Sequence, residues 1–136
     1  MSSLRREIEK CMTDLTASDR TLTARFVFNE DFIGFQGHFP GNKILPGVCQ
    51  IQCAMSMFEK WRNRRLALKE IMLAKFFSTV TPSEEITCVC KDIEHTGEDF
   101  ILRASIRKGD KKISEMKLKV RFKKGSSENC VEKSPL

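Results

Sequence analysis

From Val48 to about Arg64 the chain carries apolar residues at helical spacing around so much of its circumference that the helix they form must be enclosed by the rest of the protein. Ile51, Met55 and Phe58 recur at intervals of three and four, and Ala54, Met57 and Trp61 fill the flanks. Pro46 stands where its missing N–H does no harm, at the helix start. A helix resting on one surface needs only a stripe. This one needs a wrap, and the remaining segments have to supply it.

Those segments read as strands. Thr21–Phe28 alternates, with Leu22, Ala24, Phe26 and Phe28 on one side and Thr21, Thr23, Arg25 and Val27 on the other. Residues 71–80 and 85–93 flank Thr81-Pro-Ser-Glu84, Thr96-Gly97 leads into 99–107, and Gly109-Asp110 leads into 112–122. In the last, Met116, Leu118, Val120 and Phe122 face a core while Lys117, Lys119, Arg121 and Lys123 face water. Residues 5–16 read weakly as a strand leading into a turn at Ala17-Ser-Asp-Arg20, with an N-terminal helical turn as the alternative. Two strands, a long helix and a four-strand meander give an α+β protein in which a curved antiparallel sheet wraps one central helix, the hotdog arrangement. Its uncovered edges call for pairing into a dimer. Residues 1–124 form this domain, and 125–136, with little to bury, are expected to be a disordered tail.

At 136 residues the chain suits one core. It has no run of the ~20 apolar residues that cross a bilayer and its start lacks the apolar region of a signal peptide, so a cytoplasmic protein without a membrane partner is expected. The six cysteines (Cys11, Cys49, Cys53, Cys88, Cys90, Cys130) have no zinc-like spacing. They are expected to be reduced and mostly packed in the core, with no metal and no cofactor. The net charge of +6 suits an acidic partner. The lack of a Gly-rich phosphate loop and of tyrosine argues against nucleic acid.

Between strand and helix lies a stretch too punctuated for regular structure and too apolar for a solvated linker, Phe35-Gln-Gly-His-Phe-Pro-Gly-Asn-Lys-Ile-Leu-Pro-Gly-Val48. The run Gln36-Gly37-His38-Phe39-Pro40-Gly41, followed by Leu45-Pro46-Gly47-Val48, resembles the signature of the 3-hydroxyacyl-acyl-carrier-protein dehydratases, hotdog enzymes that act as dimers. Lys75-Phe76 and Val80-Thr-Pro82 resemble that family's next strand and turn. The resemblance implies that His38 is the base taking the α-proton of an acyl thioester. It implies also that a backbone N–H at Gly47 contacts the thioester carbonyl, with Phe39, Pro46 and Val48 lining the substrate. A helix's first turn presents unpaired N–H groups and a positive dipole end, which suits that role. The family's acid, a Glu or Asp contributed by the other subunit, corresponds to Gln52. An amide can hold a hydroxyl but cannot deliver a proton as a carboxylic acid does.

Gln50 is expected to point away from Gln52, and Glu59, two turns further on, is a distant candidate for the missing acid. His95, in Glu94-His-Thr-Gly97, reads as a solvated turn residue. Arg62, Arg64 and Arg65 belong to a basic run that suits either a solvated helix end or a dock for an acyl-carrier protein. The function expected is dehydration of a 3-hydroxyacyl thioester to a 2-enoyl thioester in fatty-acid or related lipid synthesis. The alternatives are an acyl thioesterase, and a non-catalytic acyl-carrier-binding subunit that pairs with an active homologue in a heterodimer.

Overall fold

A computed structural model describes residues 2–36, 41 and 43–124, with the backbone alone at residues 2 and 92–96. Helix α1 (Ser2–Lys10) leads into strand β1 (Met12–Ser18) and strand β2 (Thr21–Val27). One 3-10 turn (Ile33–Phe35) precedes helix α2 (Gly47–Arg62), and β3 (Leu66–Phe76), β4 (Glu85–Thr96), β5 (Asp99–Lys108) and β6 (Lys111–Phe122) complete the chain. All six strands form one antiparallel sheet in the order β1-β2-β4-β5-β6-β3. This is the expected hotdog arrangement, with a sheet curved around α2.

Burial explains why α2 is enclosed. Cys49 to Ile51 and Cys53 to Glu59 are all buried, so only Gln52 breaks a run covering three turns. Leu22, Ala24 and Phe26 of β2, Ile86, Cys88 and Cys90 of β4, and Met116, Leu118 and Val120 of β6 supply the sheet side of this core. Their period of two is the alternation seen in the sequence.

Three expectations need correction. Residues 5–10 are helical rather than extended: Leu4, Ile8 and Cys11 are spaced for one helix face, and Ile8 is fully buried on the core. Strand β3 begins at Leu66 and ends at Phe76, not at 71 and 80, because its ladder with β6 starts at Leu66↔Phe122 and ends at Phe76↔Ser114. His95 belongs to β4, opposite Phe100, and the turn falls at Gly97, whose φ is +71°. Long-range pairing overrides local preference in the last two cases.

Asn63 ends α2 in the left-handed conformation (φ 58°), and its N–H donates to the Glu59 carbonyl. Cys11, Cys49, Cys53, Cys88 and Cys90 are free thiols, all but Cys11 buried. No described helix is long and apolar enough to cross a membrane. His38, Phe39 and the tail 125–136 lie outside the described residues.

Candidate functional site

The site expected from the sequence lies where the Gly-Pro loop enters α2. Pro46 is the N-cap, extended at φ −67° and ψ 154°, and offers no side-chain cap. Its carbonyl accepts from the N–H groups of Cys49 (3.0 Å) and Gln50 (3.2 Å). Gly47 and Val48 come before these, at the positions where a helix has no carbonyl of its own to pair with an N–H. The positive end of the helix dipole therefore falls on the amide the sequence singled out. Val48 is 60% exposed beside it.

Gly47 is required for a reason other than ligand approach. A Cβ there would come within 2.8 Å of Cζ of Phe76, so the ring at the end of β3 packs on the bare Cα. The first turn of α2 is thereby joined to an edge of the sheet.

The loop's exit is held from both sides. The Leu45 N–H donates to the Val80 carbonyl at 2.8 Å, and the Leu45 carbonyl accepts from Gln50 Nε2 at 3.4 Å. Gln50 is buried, and its Oε1 accepts from the Ser114 hydroxyl at 2.7 Å. Gln50 does point away from Gln52, as expected. Sequence reasoning missed that it ties loop, helix and β6 together. The available signal was Ser114, a hydroxyl on the core-facing side of β6 that needs a buried partner.

Gln52 is half-buried, and its Nε2 donates to the hydroxyl of buried Ser56, one turn on, at 2.9 Å. The amide is thus fixed in position by its own helix. Cys49, in the same first turn, is no nucleophile: burial pushes its thiol up to about 11, leaving almost no thiolate near neutrality. A shallow hollow of about 400 Å³ lies beside the loop, lined by Glu30, Gly41, Lys43, Thr81 and Pro82. Among the described residues no group of three or more His, Cys, Asp or Glu side chains is placed to hold a metal.

Glu59 does not join this site. Its Oε2 accepts from the Leu66 N–H at 2.8 Å, and its backbone carbonyl accepts from Arg64 at 3.2 Å, so it closes the connection from α2 to β3. Its Oε1 lies 3.9 Å from Arg5 Nε and makes no hydrogen bond. Burial raises the carboxyl's pKa above the ordinary value, against the opposing pull of the Leu66 N–H and Arg5. A pH effect follows. Well below the usual glutamate value of about 4.3, Glu59 is protonated whether the chain is folded or not. As pH rises through that value the unfolded chain releases its proton first, and stability is lost until the raised native pKa is passed. Glu59→Gln keeps an acceptor for Leu66 and cannot ionise. Its melting temperature relative to the original should therefore climb as pH rises above about 4, until the raised native pKa is passed. A difference that is constant or shrinks would show that the carboxylate is not disfavoured in the fold.

Arg62, Arg64 and Arg65 are exposed at the opposite end of α2, a helix of 16 residues and so about 24 Å long. Arg62 stacks over the Trp61 ring at 5.0 Å and Arg64 over Phe122 at 4.0 Å. They are not brought together with Gly47 and Gln52 in one protomer.

The family model described as ApeI-like, ApeI dehydratase, matches residues 14–125. The chain belongs to the ApeI-like dehydratase family. Among curated relatives, the 3-hydroxyacyl-[acyl-carrier-protein] dehydratase FabZ of Pediococcus pentosaceus is 31% identical over 103 residues, covering 71% of this chain and 68% of that protein. FabZ of Ehrlichia chaffeensis is 37% identical over 71 residues, 48% of each chain. The chain thus spans from about half to two thirds of the length of these FabZ relatives. A structure described as the dehydratase heterocomplex ApeI:P from Xenorhabdus doucetiae superposes with a TM-score of 0.66 at 19% identity, over 81% of this chain and 96% of that one. A thioesterase of Pseudomonas aeruginosa superposes at 0.61 with 16% identity, over 82% and 80%. At such identities the likeness is one of fold. The thioesterase alternative is not favoured, since the family match points to dehydration.

Proposed function

We propose that this ApeI-like protein eliminates water from a 3-hydroxyacyl thioester to give the 2-enoyl thioester. The observation that carries the reading is the first turn of α2, where Gly47 opens the helix behind an N-cap that offers no side chain. The thioester carbonyl accepts from this end of the helix, which stabilises the enolate-like charge as it develops. His38 takes the α-proton, the electron pair forms the new double bond, and the hydroxyl, held by the Gln52 amide, leaves as water with the proton that the His38 imidazolium returns to it. Phe39, Pro46 and Val48 line the acyl group.

A dimer through the β3 edge fits the surface. Ile71, Met72, Leu73, Phe76 and Phe77 are all 38% exposed or more, an apolar edge of the kind that soluble proteins cover. Because Phe76 packs on Gly47, a second copy along that edge would sit beside the thioester site. A homologous partner that keeps the family's acid would supply a carboxylate there, and the ApeI:P neighbour is itself a heterocomplex. Sedimentation of the original and an Ile71→Lys variant tests the edge, since the charge should leave the variant monomeric.

The acyl group is carried by an acyl-carrier protein docked on Arg62, Arg64 and Arg65, in the cytoplasm. The length of α2 means that its arm reaches along the helix, or that the basic end of one subunit serves the other. The deciding experiment supplies 3-hydroxyacyl and 2-enoyl thioesters, carrier-linked and coenzyme-A-linked, and follows enoyl absorbance and free thiol together. Interconversion without thiol release is expected, with carrier-linked substrate alone weakening as salt rises. Thiol release without interconversion would make the protein a thioesterase. No reaction from the chain alone, restored by an active homologue, would make it the non-catalytic partner.

A further inference from the structure

An apolar cavity lies at the C-terminal end of α2, away from the thioester site. Its volume of about 420 Å³ falls in the range of small-ligand sites, about 300–1,000 Å³. Four aromatic residues, Phe58, Trp61, Phe100 and Phe122, line it together with Leu22 of β2. From Gly47 to Phe58 the helix rises about 16 Å, so a molecule in this cavity does not occupy the position assigned to the thioester.

The rings decide the shape of an occupant. Phe58 meets Phe100 at 41° and Phe122 at 43°, and Phe58 meets Trp61 edge to face at 81°. Phe58 lies parallel to none of the other three rings, so they form a concave wall and not a slot for a flat ring. A flexible alkyl body conforms to such a wall. The polar requirement comes from the mouth, where the β1–β2 turn places Arg20 and the helix end places Arg62 on the same cavity, with Asp19 the one acidic side chain there. Arg62 lies over the Trp61 face at 5.0 Å, an arrangement that leaves the in-plane N–H groups of a guanidinium available. Neither arginine has a carboxylate partner among the described residues. The excess charge at the mouth is positive.

We infer that this cavity binds a medium-chain alkyl carboxylate, with its chain against Phe58, Trp61, Phe100 and Phe122 and its carboxylate between Arg20 and Arg62. The inference uses none of the thioester chemistry, and it shares only Arg62 with the proposed carrier dock.

Trp61 is the only tryptophan of the chain, so its fluorescence reports on this cavity alone. The test titrates the full chain with sodium decanoate below its micellar concentration, and with decanol as the uncharged match. A saturable change is expected, with decanol weaker. Arg20→Gln and Arg62→Gln, both at exposed positions, should each weaken decanoate by about fivefold, the scale of one exposed ion pair. Circular dichroism confirms that the variants are folded. The absence of a saturable change, equal binding of decanol, or decanoate affinity unchanged in both variants would each overturn the inference. A signal that follows protein concentration and not decanoate would assign the cavity to a second copy of the chain and overturn it as well.

Discussion

Replacing His38 by alanine is expected to lower dehydration of a 3-hydroxyacyl thioester by about 10²–10⁴-fold while leaving the fold in place. The magnitude is that of a general base, and among the described residues neither Cys49 nor Glu59 offers a substitute for the imidazole. Cys49 is held protonated by burial, and Glu59 is committed to the Leu66 N–H at the far half of α2. The fold should survive because the loop's exit is fixed by other groups, through Leu45 to Val80 and to Gln50. Steady-state rates of enoyl formation, with thermal unfolding of the same preparations, check the claim. Turnover unchanged in a folded His38→Ala protein would remove the base from the mechanism.

The second large effect is a gain. Gln52→Glu should raise the dehydration rate, by up to the about 10²–10⁴-fold that a general acid contributes, if the chain is a dehydratase lacking its acid. The structure sharpens this expectation. Gln52 Nε2 donates to the Ser56 hydroxyl at 2.9 Å, and a carboxylate at position 52 would instead accept from that hydroxyl. Accepting a hydrogen bond favours the charged form and lowers the acid's pKa, while half-burial raises it. The gain should therefore be greatest on the acidic side of neutrality. Ser56→Ala added to Gln52→Glu should extend it toward neutral pH, because the stabilising donor is gone. Rates across a pH series for the single and double variants separate the cases. A fall at every pH with the fold preserved would mean that the original amide is itself the working group, holding the hydroxyl in an adapted mechanism.

Much of this protein was legible before any coordinates. The width of the apolar face on α2 required a wrap, and the period-two runs in β2 and β6 supplied one. Gly97 and Gly109, both at positive φ, mark the turns their positions suggested. The motif from Gln36 to Val48 pointed to the family that residues 14–125 match. The residues that hold the site were harder to see. Gln50 looked like one more polar residue on a helix, because its partners Leu45 and Ser114 lie five and 64 residues away. Gly47 looked like room for a ligand, because the Phe76 ring that fills its missing side chain arrives from a strand 29 residues on.

The sequence by itself determined the long helix, the alternating strands and the motif at the mouth of α2, since helical spacing, alternation and a dense local motif are all properties of short windows. Tertiary structure decided which strands are neighbours. β3 pairs with β6 at one edge and β2 with β4 near the other, and hydrogen-bonded ladders between distant segments leave no signal in either segment alone. The same long-range contacts enclose Glu59, bury Gln50 with Ser114, and gather Phe58, Trp61, Phe100 and Phe122 around one cavity. Burial and pairing belong to the whole chain, because each is fixed only when the last strand closes the sheet around the helix.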